Sequence, residues 1–271
     1  MDERFTAQMF VSWYAKEHGI STEDIGVAPI VVLSWNRKII QSLTETTGAQ
    51  LREHWLYGDV YPLYTGEVEG HRVSFAYVSI GAPATVVQME EMIACGARIF
   101  LGFGFAGSLQ MEAPIETLLI PNNCIRNEGT SAHYLDKNVE VAPSTRLKGI
   151  IQEVCKEKGI NVLSGPHWTT DAVYRELVST IEAYRKRGIL GVDMETSAMY
   201  ALGMFRKVEV CNLLVVSDEL WREWRIGFAS KEFRKGVQQA IEVILRYLAR
   251  DIYEARRQII DPEYIKQSNS L

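Results

Sequence analysis

Short apolar runs alternate with segments of helical spacing along most of the chain, and this alternation limits the fold more than any other feature. Residues 30–33 form a continuous run of branched apolar side chains, as expected for a strand buried on both faces. Residues 72–78 and 98–103 read as two further strands, and the helical segment between them, 84–95, ends at Gly96, a residue type suited to a helix C-terminus. Residues 117–120 and 160–163 are strand-like, 147–158 and 177–187 are helical, and 210–216 is almost continuously apolar. From Lys231 onward, Phe233, Val237, Ala240, Ile241, Ile244, Leu245 and Leu248 fall on one face of a long helix. Strands alternating with helices predict a single-domain, three-layer α/β/α fold with a central mixed sheet. The 8 prolines are scattered and no low-complexity stretch intervenes, so one domain over 1–271 is expected, with a C-terminal helix at about 229–260 and a short tail. In such folds ligands sit at the carboxyl ends of strands, which directs attention to the loops after Leu33, Ile80, Phe103, Leu163 and Val216.

Composition removes several function classes. Four cysteines, Cys95, Cys124, Cys155 and Cys211, show no Cys-x-x-Cys pair, so reduced buried thiols are expected and no local metal site is. With 29 basic and 34 acidic residues the net charge is -5, which disfavours nucleic acid as a partner. The basic runs Arg185-Lys186-Arg187 and Arg256-Arg257 read as solvated helix ends. No apolar stretch approaches the roughly 20 residues needed to span a bilayer, and the N-terminus lacks a secretory apolar core. A cytoplasmic location without membrane association is the expectation.

Three motifs carry chemistry. Gly102-Phe103-Gly104-Phe105-Ala106-Gly107 formally matches a dinucleotide fingerprint, but Pro114 follows too soon for the helix that would hold a pyrophosphate. The glycines instead imply close backbone approach to a ligand or to another element. Gly191-Val192-Asp193-Met194-Glu195-Thr196-Ser197-Ala198 places two carboxylates in the first turn of an expected helix, where they either cap it or serve a site. Ser217-Asp218-Glu219 follows a buried strand, where an acid can exchange a proton with a ligand or cap the next element.

Taken in order with Ile80-Gly81-Ala82-Pro83, these segments resemble the nucleoside phosphorylase family of the purine and uridine phosphorylase type, from about His18 to Leu248. The segment Val192 to Ala198 is similar to the family's Val-Glu-Met-Glu-Ala signature, and Ser217-Asp218 to the Ser-Asp pair of its purine branch. The resemblance implies a nucleoside phosphorylase-like fold and a ribose site of Glu195, which accepts both ribose hydroxyl hydrogens, with Met194 beneath the sugar and Asp193 before it. It implies His18 reaching the 5′-hydroxyl in a neighbouring subunit, and hence a homo-oligomer, dimer-based and up to a hexamer. Asp218 corresponds to the general acid for a purine base, with Arg222 or Arg225 expected to hold it poised. The segment 164–172, with Trp168, Thr169 and Asp171, corresponds to the base-lining stretch, joined by Phe105. The segment 221–228 is either a lid over the base or a subunit contact.

The phosphate site departs from the family. Its Gly-Asp-Pro-x-Arg loop is here Leu33-Ser34-Trp35-Asn36-Arg37, the neighbour's arginine falls in Tyr57-Gly58-Asp59-Val60, and Arg-x-Gly-Ser/Thr becomes Gly102-Phe103-Gly104-Phe105. Two missing charge-assisted hydrogen bonds, at about 1.5–3 kcal/mol each, would weaken phosphate binding by about a hundred- to ten-thousand-fold. Substitute ligands would be Ser34, Arg37, Gly104 and Ser108. The implied activity is phosphorolysis of a nucleoside, a purine ahead of uridine, giving free base and ribose 1-phosphate, a pentosyltransferase of nucleotide salvage with phosphate as co-substrate and no cofactor or metal. Hydrolysis by water and non-catalytic nucleoside binding are the alternatives.

Overall fold

The protein's structure, a computed structural model, describes residues 3–259, with side chains through residue 250. The expected tail after residue 260 and the side chains of Arg256 and Arg257 lie outside these described residues. The strands are β1 (Ile30–Ser34), β2 (Gln50–Leu51), β3 (Leu63–Val68), β4 (His71–Tyr77), β5 (Ile99–Ser108), β6 (Leu118–Asn127), β7 (Val162–Thr170), β8 (Gly191–Asp193), β9 (Glu209–Glu219) and β10 (Arg225–Ile226). The helices are α1 (Ala7–Glu17), α2 (Arg37–Thr47), α3 (Ala82–Ala94), α4 (Thr145–Glu157), α5 (Val178–Lys186), α6 (Thr196–Arg206) and α7 (Lys231–Ile259).

One mixed sheet runs in the order β10-β9-β6-β7-β8-β5-β1-β4-β3-β2. At its centre β1 lies parallel between β4 and β5, and every residue of β1 is buried, which accounts for its unbroken apolar sequence. β9 pairs in parallel along the whole of β5 and also touches β6 at Leu118 and Leu119. The strands β5, β9, β6, β7 and β8 therefore close into a ring, and the functional segments converge at its rim.

Helices cover both faces, as the strand-helix alternation predicts. On one side Ile39 and Leu43 of α2, Ile151 and Val154 of α4, and Ile244 and Leu248 of α7 share a core. On the other, Val11 of α1, Met89 and Met92 of α3, and Met199 and Leu202 of α6 share a second. The apolar stripe of α7 is buried at Phe233, Ala240, Ile244 and Leu248. Each fully buried aliphatic side chain there contributes on the order of 1.5–3 kcal/mol. Local signals set the helix ends: Asn36 accepts the amides of Lys38 and Ile39 at the start of α2, and Gly96, just past α3, takes φ 108°. All four cysteines are free thiols, and the Arg185-Lys186 run does end a helix.

Two boundaries differ from the sequence reading. The strand expected at 98–103 continues to Ser108, so that Gly104 and Gly107 lie inside β5 with Gly102, and Ser217-Asp218-Glu219 completes β9 rather than following it. Strand pairing overrides the poor strand propensity of glycine because each site has no room for a Cβ. A Cβ on Gly102 would lie 2.2 Å from Asn212 Oδ1, and one on Gly107 would lie 2.6 Å from Leu220 Cδ1. The third correction concerns the acidic pair: Asp193 ends β8, and Glu195 stands at the cap position of α6, so neither carboxylate lies in the helix's first turn.

Candidate active site

The rim of the strand ring encloses a cavity of about 410 Å³. Its walls come from β5 (Gly104 to Gly107), the end of β8 and the cap of α6 (Val192 to Glu195), the end of β9 (Ser217 and Asp218), and Trp35 and Asn36 after β1. Ile80, Val173, Glu176, Leu220 and Phe228 complete it. A second cavity of about 590 Å³ adjoins it, sharing Glu176 and Asp218 and adding Tyr174, Trp224 and Ile226. Among the described residues no Lys, Arg or His lines either cavity, whereas four carboxyl groups, Glu176, Asp193, Glu195 and Asp218, line the first.

Glu195 is held by backbone: the Gly81 amide donates to Oε1 at 2.7 Å and the Met194 amide to Oε2 at 3.2 Å. The positive φ of Gly81, 100°, turns the chain into α3 at this point. Burial, and then the neighbouring Asp193, push the Glu195 carboxyl up to about 8 against those two hydrogen bonds. Asp193 is fully engaged. Thr169 Oγ1 donates to Oδ1 at 2.8 Å, the Thr196 amide to Oδ2 at 3.0 Å, and the Thr196 hydroxyl also donates to Oδ2. His167 Nε2 stands 3.6 Å from Oδ1. Asp193 thus ties β7, β8 and α6 together and fixes the turn that presents Met194 and Glu195.

Asp218 accepts from Ser217 Oγ at 2.7 Å and from Trp224 Nε1 at 2.9 Å. Arg222 and Arg225 do not hold it, contrary to expectation. Both guanidinium groups pair with Glu219, at 2.5 and 3.0 Å, because Glu219 faces the opposite side of β9, where it is buried and needs cationic partners. These pairs fasten the β9–β10 hairpin, and with Trp224 on Asp218 and Phe228 against Phe105 the 221–228 segment forms a wall of the cavities.

Several other sequence candidates lie elsewhere. Trp168 is 2% exposed and packs edge-to-face on Tyr184 in a small apolar cluster, so a core role displaces base stacking. Thr169 reaches the site only through Asp193, and Asp171 accepts the Gly129 amide beside a separate cavity. Of the substitute phosphate ligands only Gly104 lines the cavity. Ser34 and Ser108 are fully buried, their hydroxyls bonded to Asn36 and Gln110, and Arg37 donates to the carbonyls of Asp59 and Val60 while lying over Tyr77. His18 is exposed at the end of α1, stacked on Tyr14, and lines neither cavity. Glu195, Met194, Asp193, Asp218 and Phe105 are brought together as expected.

Glu176, Trp35, Val173 and Leu220 escape the sequence reading. Glu176 follows a short turn at Val173–Arg175, where no periodicity marks it. Burial, and then the Asp218 charge, push its carboxyl up to about 7. Trp35 has a clearer signal in retrospect: its ring covers Gly104, where a Cβ would come within 2.7 Å of the indole, and its Nε1 donates to Thr85 at 2.8 Å. Gly102 is equally committed, since Asn212 fills the space a side chain would take and donates to Thr196 Oγ1 at 2.8 Å. Gly102→Ala is therefore expected to displace Asn212 and lower stability by about 1–3 kcal/mol, read from the denaturation midpoint. An unchanged midpoint would contradict that packing.

Among the described residues no group of three or more His, Cys, Asp or Glu is placed to hold a metal ion, and no helix is long and apolar enough to cross a membrane.

Comparison with known proteins adds to this geometry. The profile of the Phosphorylase superfamily matches residues 37–249. A uridine phosphorylase of Treponema pallidum is 30% identical over 206 residues, covering 70% of this chain and 79% of that protein. A DeoD-type purine nucleoside phosphorylase of Clostridium novyi is 28% identical over 169 residues, covering 60% and 72%. The crystal structure of a uridine phosphorylase from Vibrio fischeri ES114, complexed with 6-hydroxy-1-naphthoic acid, superposes with a TM-score of 0.74 at 24% identity, over 83% of this chain and 93% of the other, a likeness of fold.

Proposed function

The chain belongs to the Phosphorylase superfamily, and from that premise we propose that it binds a purine nucleoside and cleaves its N-glycosidic bond with water as the ribosyl acceptor. The observation that carries the acceptor is a cavity lined by four carboxyl groups and, among the described residues, by no cationic side chain. Heterolysis of the glycosidic bond leaves positive charge on the ribose, which carboxyl oxygens stabilise, whereas a phosphate dianion finds no cation there and is repelled by each carboxyl that ionises. One unit charge at about 4–5 Å in a protein environment is worth about 3–4 kcal/mol. Asn212 fills the space beside Gly102, where the family resemblance puts an arginine, and Trp35 covers the neighbouring Gly104.

In this reading Glu195 accepts the two ribose hydroxyl hydrogens, Met194 lies beneath the sugar, and Phe105, Val173, Leu220 and Phe228 flank the base. Asp218 and Glu176 stand at the base end, and a purine is favoured because its ring nitrogens can take up a proton from a carboxyl. His18 is proposed to act across a subunit boundary in a dimer-based homo-oligomer, since within its own chain it lines neither cavity. Phosphorolysis, the reaction named for the relatives, is the second reading. It is favoured by the extent of the family match and would require a cation from a neighbouring subunit. Neither reading calls for a cofactor.

A panel of ribonucleosides followed by base release, with and without phosphate, tests the proposal. Equal release in both conditions is expected. Release that needs phosphate would replace water by phosphate as acceptor. Silence across the panel, with nucleosides still raising the melting temperature, would reduce the function to binding.

A further inference from the structure

Two carboxyl groups, Glu176 and Asp218, face both cavities at the end where the base would lie. They differ in what holds them. The indole N–H of Trp224, which can only donate, points at Asp218 Oδ2, and the Ser217 hydroxyl donates to Oδ1. Both oxygens of Asp218 are therefore already occupied by protein donors. The Glu176 carboxyl makes no hydrogen bond or ion pair among the described residues. A carboxyl group beside a fixed carboxylate keeps its own proton, and one without partners is free to turn its O–H toward a ligand.

We propose that Glu176, with Asp218 as its positioning residue, delivers the proton to the leaving base. This rests on the reading of the site as one that cleaves nucleosides. As the C1′–N bond breaks, its electron pair passes to the base and the Glu176 proton is taken up by a ring nitrogen. The water oxygen bonds to C1′ and sheds one proton to solvent, and solvent reprotonates Glu176. Among the described residues the other titratable groups facing the two cavities are Asp193, Glu195, Asp218 and Tyr174, with no Lys, Arg or His. The Glu176 carboxyl, raised to about 7 by burial and by Asp218, keeps its proton in about half of the molecules at neutral pH and in more of them below it.

The test compares wild type, Glu176→Gln and Asp218→Asn on a natural purine nucleoside and on p-nitrophenyl riboside, whose leaving group departs without protonation. Glu176→Gln is expected to lower kcat/KM for the natural nucleoside by about a hundred- to ten-thousand-fold, and for the nitrophenyl riboside by less than about tenfold. In wild type the natural-substrate profile should fall on the alkaline side as Glu176 loses its proton, and Glu176→Gln should remove that fall. Asp218→Asn should keep the fall and move it to lower pH, because the neighbouring negative charge is gone. Unchanged melting temperature in Glu176→Gln would show that the fold is intact, as its lack of partners leads one to expect. If the substrate-selective loss appears in Asp218→Asn and not in Glu176→Gln, Asp218 is the acid and the proposal is overturned. Equal losses on both substrates in Glu176→Gln would also overturn it. A wild type that cleaves neither substrate would overturn the reading of the site itself, and this assignment with it.

Discussion

Glu195→Ala is expected to lower kcat/KM for every nucleoside the protein turns over by about a hundred- to ten-thousand-fold. In its ionised form, which prevails above about pH 8, the carboxylate would accept two ribose hydroxyls, and each charge-assisted bond is worth about 1.5–3 kcal/mol, so their joint loss amounts there to about 3–6 kcal/mol. The amides of Gly81 and Met194 fix the carboxyl before any ligand arrives, and so little reorganisation dilutes the effect. Glu195→Gln, which keeps the acceptor for Gly81 but loses the charge, should fall between wild type and alanine. The same residue has a signature in stability. Its carboxyl titrates near 4.5 when unperturbed and at about 8 in the fold, so the folded protein holds a proton over that window that the unfolded chain has lost. The stabilising contribution is complete below pH 4.5 and is lost as pH rises through about 8. Denaturation midpoints measured across this range should show that slope in wild type and a shallower one in Glu195→Gln. Identical slopes would mean that burial and Asp193 do not hold the proton there.

Asp193→Ala is expected to destabilise the protein by about 3–5 kcal/mol, the cost of removing one partner from a buried charged network. The change strands the Thr169 hydroxyl and both donors of Thr196, and takes away the carboxylate facing His167. Because these groups belong to β7, α6 and the turn before α6, the loss should also loosen the presentation of Glu195, so activity falls together with stability. Asp193→Asn, which retains an acceptor oxygen, should cost less. Urea denaturation of the three proteins measures this. A drop in activity at unchanged stability would instead place Asp193 in direct contact with substrate.

The layers of the fold were legible because burial on both faces writes itself as unbroken apolar runs, as in β1, and burial of one helix face writes itself as a stripe, as in α7. The proposed ribose end of the site was legible for a different reason: Asp193, Met194 and Glu195 are consecutive, so one short turn carries them. The base end was only half readable. Asp218 stands beside Ser217 in the chain, but its companion Glu176 comes from a turn over 40 residues earlier, and only the closing of the strand ring brings the two together. The arginines failed for a simple geometric reason, since neighbouring residues on a strand face opposite sides and Arg222 and Arg225 follow Glu219 rather than Asp218. At Gly102 and Gly104 the sequence shows a missing side chain but not what fills its place, and it took Asn212 and Trp35 to show that the space is closed.

The most direct measurement is the fate of the ribose when a purine nucleoside is cleaved in heavy-oxygen water containing inorganic phosphate. The cavity of four carboxyl groups, with no cation among the described residues, predicts free ribose carrying the heavy oxygen at C1, with base released at the same rate when phosphate is omitted. Unlabelled ribose 1-phosphate, formed only when phosphate is present, would contradict it.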